Sequence, residues 1–159
     1  MENDKQNSVT PTQSTPMKWH KFLIYFGLWL GGILTALTGV GLVTGSAYET
    51  TGSTADQVYR VFPSLQPVDV VMGIFAILLG ALMIVARFDL ARFKHNGPKR
   101  LYIVYGANAA FVLVYPLLVS AMTTLSFMEL LDIGSLIGSI LGIVINKVYY
   151  DKRMHLFVN

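Results

Sequence analysis

From Phe22 to Gly45 the chain carries no charged side chain at all. At 1.5 Å per helical residue such a run crosses about 30 Å of hydrocarbon, and inside a bilayer the backbone satisfies its own polar groups only as a helix or a closed barrel. The run exceeds the apolar core of a cleavable signal peptide, about 7 to 15 residues, so it is read as a first membrane span. Three more apolar stretches follow, and the four spans are placed at 22–45, 68–87, 100–121 and 128–148. The expected fold is therefore all-α, an integral membrane four-helix bundle.

Composition supports this reading. Of 159 residues 53% are hydrophobic and only 13% charged, against about 25% charged in soluble domains. Four spans with short loops use up the length, which leaves no separate soluble catalytic domain. With no cysteine, disulfide frameworks, thiolate metal sites and thiol nucleophiles are excluded. The net charge of +3 does not point to nucleic acid, because the basic residues bracket apolar runs instead of forming one basic face.

Those flanking charges set the topology. Lys5, Lys18 and Lys21 precede span one, Arg87, Arg92, Lys94, Lys99 and Arg100 lie between spans two and three, and Lys147, Lys152 and Arg153 follow span four; of 12 Lys and Arg, only Arg60 is elsewhere. The positive-inside rule makes both termini cytoplasmic, in a multi-pass protein of the cell membrane. Residues 1–16, polar and without apolar periodicity, are expected to be a disordered cytoplasmic tail, 17–153 the membrane domain, and 154–159 a second cytoplasmic tail. Met17 opens the amphipathic approach Met17-Lys18-Trp19-His20-Lys21, so translation starting at Met1 and at Met17 are both compatible with the sequence. In the outer loop, Ala55 to Phe62 has the spacing of a short surface helix, serving as a lid or as a gate or partner surface.

Two halves of the chain resemble each other. Lys21-Phe22-Leu23-Ile24-Tyr25-Phe26-Gly27 parallels Arg100-Leu101-Tyr102-Ile103-Val104-Tyr105-Gly106, and Asp69 and Asp132 open spans two and four. A parallel two-hairpin repeat with its axis along the membrane normal would account for this. Basic flanks and interfacial aromatics that recur in any pair of spans would account for it too.

Small residues form ridges at i+4 spacing: Gly27, Gly31, Thr35 and Gly39 in span one, with Gly32 and Ala36 on the adjoining row, and Gly134, Gly138, Gly142 and Asn146 in span four. Such ridges let helices approach closely, either inside the bundle or across a homo-oligomer interface. Span three is the polar one. Tyr105, Asn108 and Tyr115 share a face, and Pro116 releases the Val112 carbonyl. A buried amide needs partners in hydrocarbon, so Asn108 is expected to face the bundle and bond a tyrosine or Ser139, or to line a small polar site with the two tyrosines. Asp69 and Asp132 suit helix capping; facing each other across an outer vestibule, they would instead hold a cation or proton.

No span has a charge in its middle third, where proton-coupled transporters commonly place one. His20, His95 and His155 fall in separate segments, and no nucleophile elbow, phosphate loop, zinc or dinucleotide motif is present. Neither an enzyme activity, a cofactor nor a metal is expected. The segments Lys-Phe-Leu-Ile-Tyr-Phe at 21–26, Val-Asp-Val at 68–70 and Arg-Phe-x-Leu-Ala-Arg-Phe at 87–93 resemble uncharacterised small four-span membrane proteins of bacteria; the resemblance implies a bacterial cell membrane and no activity. Two functions follow as expectations. One is a non-enzymatic accessory, scaffold or self-associating protein with the lipid bilayer, a second copy or a larger membrane protein as partner. The other is a small channel or transporter using span three and the outer aspartates.

Overall fold

A computed structural model describes residues 17–158, so the expected tail at 1–16 lies outside the described residues. The described chain is helical and contains four helices long and apolar enough to cross a membrane. They are α1 (Lys18–Thr44), α3 (Leu65–Ala91), α4 (Gly97–Met122) and α6 (Ile133–Asp151). Two short helices lie between them, α2 (Ala55–Val61) and α5 (Phe127–Leu130). This is the all-helical, multi-pass architecture that the charge-free runs require.

Local chemistry sets the ends. Gly45 closes α1 in the left-handed region at φ 77, where a side chain would be strained. Thr54 and Gln57 form a reciprocal capping box that starts α2. Near its beginning α1 passes through a π-helical turn, Leu23–Gly27, and the Ile24 carbonyl there accepts the Arg87 Nε–H at 2.9 Å.

The stretch expected as one span from 128 to 148 is divided. Ser126 and Glu129 form a capping box for α5, and Asp132 then caps α6 by accepting the Ser135 N–H at 3.0 Å. Two successive caps stop and restart the helix at Leu131–Asp132, and α6 continues to Asp151. Asp132→Ala should therefore cost about 1 kcal/mol in thermal unfolding, while Asp132→Asn should stay near wild type. Equal midpoints for the two variants would show that the cap does not hold α6.

The helices pack in chain order: α1 on α3, α3 on α4, α4 on α6. The α1–α3 pair is the closest. Gly39 meets the Gly73 backbone and Gly32 meets Gly80, with the fully buried Ala76 between the two α3 glycines. A Cβ at Gly80 would stand 2.5 Å from the Gly32 carbonyl oxygen, and one at Gly73 2.7 Å from that of Gly39. This corrects the expected ridge. Only Gly39 of that row makes a backbone approach; Gly31 faces the Met83 sulfur at 3.6 Å, and Gly27 meets only atoms of its own helix. In α6, Gly142 packs on the Tyr105 ring, Gly134 lies beside Asp132, and a Cβ at Gly138 would meet nothing within 4 Å.

Helices α1 and α6 do not pack along one another. Side chains join them at one end only, where Trp19 Nε1–H donates to Asn146 Oδ1 at 2.9 Å and His20 Nδ1 lies 3.0 Å from the Tyr150 hydroxyl. Leu23, Leu28, Leu90, Leu101, Tyr150 and Phe157 form a buried cluster at that end. Both ends of the described chain therefore lie on one face of the bundle, together with the α3–α4 turn, beside which Asp89 of α3 pairs with Arg100 of α4 and, at 2.9 Å, with Lys94. The segment expected as a C-terminal tail is docked there: Phe157 is 1% exposed, and its carbonyl lies 3.3 Å from His95 Nδ1.

Candidate functional site

Because α1 and α6 meet only at the basic end, a cleft of about 460 Å³ opens between α1, α4 and α6, with Met83 of α3 beneath it. Its α1 wall carries Gly31, Thr35 and Thr38, and its α6 wall Ser135, Gly138 and Ser139. Helix α4 supplies Tyr105, Asn108, Phe111, Tyr115 and Pro116, and Asp132 lies on the rim. Four of the five candidate residues read from the sequence, Tyr105, Asn108, Tyr115 and Asp132, thus line one cavity; Asp69 does not.

The polar groups are partly satisfied. Asn108 Nδ2–H donates to Ser139 Oγ at 2.8 Å, and that hydroxyl donates to the Ser135 carbonyl at 2.8 Å. Asn108 Oδ1 and the Tyr105 hydroxyl make no hydrogen bond to the described residues. Pro116 has no N–H for the Val112 carbonyl, and both residues border the cavity. Phe111 and Tyr115 form a flat aromatic wall, their rings 5.9 Å apart and 2° from parallel. A hydrogen-bonding molecule without charge fits this lining, because no side chain deep in the cleft could pair with a charge.

Asp69 has a separate role. It is fully buried in the second turn of α3 and is not the helix cap, which is Ser64. Its Oδ2 accepts the Tyr48 hydroxyl at 2.6 Å and the Tyr59 hydroxyl at 3.0 Å, and its Oδ1 accepts the Tyr115 hydroxyl at 2.9 Å. Tyr48 belongs to the 3₁₀ turn Ser46–Thr51 and Tyr59 to α2, so one carboxylate fastens the loop 46–62 to α3 and α4. Tyr115 links this latch to the cleft: its ring lines the cavity while its hydroxyl serves Asp69. Asp132, by contrast, is exposed and spends its carboxylate on Ser135. Asp69 has no exposed surface and does not line the cleft, so the two aspartates do not face a common vestibule.

Burial and the bond to Asp69 raise the Tyr48 phenol above its ordinary value and push Tyr59 up to about 12. The Ser135 hydroxyl and backbone N–H hold Asp132 below the usual carboxylate range. A phenol with a raised pKa gives its full stabilisation below the ordinary value of about 10 and loses it as pH climbs through the folded value. Protease cleavage within 46–62 should therefore be flat from neutrality to about pH 10 and rise toward pH 12; a rise already complete at pH 9 would contradict this latch.

Sequence reasoning missed Tyr48 and Tyr59, whose only signal is two tyrosines in a polar loop just before a buried acid. It also missed Thr35 and Thr38 as cleft residues, though two hydroxyls three apart in a charge-free run are a signal of a polar face. No protein-family model, curated protein or solved structure matches this chain.

Proposed function

We propose that this chain is a non-enzymatic protein of a bacterial cell membrane, with both termini cytoplasmic, that binds an uncharged amphipathic molecule from the bilayer in the α1–α4–α6 cleft. The observation that carries the reading is the lateral cleft with two polar groups that have no partner among the described residues, Asn108 Oδ1 and the Tyr105 hydroxyl. A volume of about 460 Å³ is within the range of small-molecule sites, about 300 to 1,000 Å³. A ligand hydroxyl or amide would donate to Asn108 and accept from Tyr105, while its hydrocarbon would leave between α1 and α6 into lipid.

Native mass spectrometry of the protein released from its own membrane tests this. A co-purifying neutral lipid or metabolite is expected in the wild type, with about tenfold lower occupancy after Asn108→Leu combined with Tyr105→Phe, two lost hydrogen bonds of about 0.5–1.5 kcal/mol each. A wild type free of small molecules, or equal occupancy in the double variant, defeats the proposal.

The accessory or self-associating reading has one observation in its favour. Nothing lies within 4 Å of a Cβ at Gly138, so the gap between α1 and α6 could accept a helix from a second copy or a larger membrane partner. Since the chain has no cysteine of its own, Gly138→Cys reports cleanly. Oxidation in membranes should give a covalent dimer if a second copy fills the gap, and only monomer if it does not.

A further inference from the structure

We infer that the basic end of α6 carries a second, separate site, for the phosphate headgroup of an anionic phospholipid. Val144, Ile145 and Val148 form an exposed apolar strip on the last turns of α6, and a shallow groove runs from them to Tyr149, Lys152 and Arg153. None of these residues lines the cleft. The strip suits an acyl chain, and the cations begin where the strip ends, at the depth where a phospholipid changes from hydrocarbon to phosphate.

The arginine is held ready. Its guanidinium carbon lies 4.0 Å from the centre of the Tyr149 ring, and Nη1 donates to the Tyr149 carbonyl at 3.0 Å. That ring is itself tied down, its hydroxyl 3.5 Å from the Met17 sulfur. A guanidinium held over an aromatic face offers the N–H groups it has not committed without further loss of freedom, which suits the oxygens of a phosphate.

The charge there is also uncompensated. The neighbouring carboxylate, Asp151, pairs with Lys147 at 3.3 Å, and among the described residues no ion pair forms with Lys152 or Arg153. Charge complementarity therefore selects an anion, and the apolar strip selects one that carries hydrocarbon; a soluble phosphate would make no use of Val144, Ile145 or Val148.

The full chain in nanodiscs, exposed to mixed phosphatidylglycerol and phosphatidylcholine and analysed by native mass spectrometry, provides the test. Wild type should retain phosphatidylglycerol preferentially, and Lys152→Gln combined with Arg153→Ala should reduce that preference about tenfold. Arg153→Lys, which keeps the charge but not the planar fork, should be intermediate and guards against a folding defect in the alanine variant. Inorganic phosphate added in detergent should give no thermal protection. Equal retention of the two lipids by wild type, an unchanged preference in the double variant, or protection by inorganic phosphate alone would each overturn the assignment.

Discussion

Asp69→Leu is expected to release the loop 46–62 from the bundle and lower stability by on the order of 3 to 5 kcal/mol, because it orphans three hydroxyls around a buried position at once. All three donors converge on one carboxylate, at 2.6, 3.0 and 2.9 Å. Water cannot replace the acceptor, since Asp69 has no exposed surface. The three bonds do not fail alike, however. Tyr115 belongs to α4, and losing its acceptor disturbs the cleft wall, whereas Tyr48 and Tyr59 hold only the loop. Tyr48→Phe with Tyr59→Phe should therefore free segment 46–62 to protease while leaving most of the thermal stability of the spans. Asp69→Asn, which keeps one carbonyl oxygen, should fall between the two. Denaturant unfolding in detergent beside limited proteolysis separates these outcomes, and wild-type behaviour of Asp69→Leu in both assays would mean that the loop is held some other way.

Gly80→Val is expected to be comparably damaging through a different mechanism. The added side chain would meet the Gly32 carbonyl and the Ala36 backbone N, at 2.5 and 2.9 Å from Cβ alone. Backbone cannot move aside as a flexible side chain would, so α1 and α3 must separate. Overpacking commonly costs about 1–3 kcal/mol, and here the separation also opens the Gly39–Gly73 contact seven residues away. We expect a loss of 3 kcal/mol or more, or no folded protein. Gly39→Leu should act alike. Gly106→Ala, with nothing within 4 Å of its Cβ, should be neutral or slightly stabilising, since alanine is favoured over glycine in a helix by up to about 1 kcal/mol. If Gly80→Val unfolds no more easily than Gly106→Ala, the close pair does not hold the bundle together.

The contrast between these glycines shows what a single sequence can reveal. Length and missing charge are averages over a run, and they identify the four crossing helices without knowledge of any partner. Which row of small residues packs is a property of two helices together. The rows through Gly31 and through Gly32 satisfy the same spacing rule, and only the facing Gly73, Ala76 and Gly80 decide that Gly32 and Ala36 of one row and Gly39 of the other make the contact. The break at Leu131–Asp132 escapes a hydropathy average because Phe127, Met128, Leu130 and Leu131 are all apolar, while the caps depend on Ser126, Glu129 and Asp132. Asn108 was legible because a buried amide must find a partner, and Ser139 is one of the few available. The Asp69 latch was not, because Tyr48 and Tyr59 reach it only once the loop has folded back over α3.

The order in which the helices touch also bears on how the protein is made. Each span packs on the span before it, α3 on α1, α4 on α3 and α6 on α4, so every main interface can form as its second helix leaves the ribosome. The contacts that must wait are those of Trp19 with Asn146 and His20 with Tyr150, which join residues far apart in the chain. The cleft is thus the last part of the molecule to acquire its shape, and a chain stalled before Asn146 would present the polar face of α4 to whatever else is in the membrane.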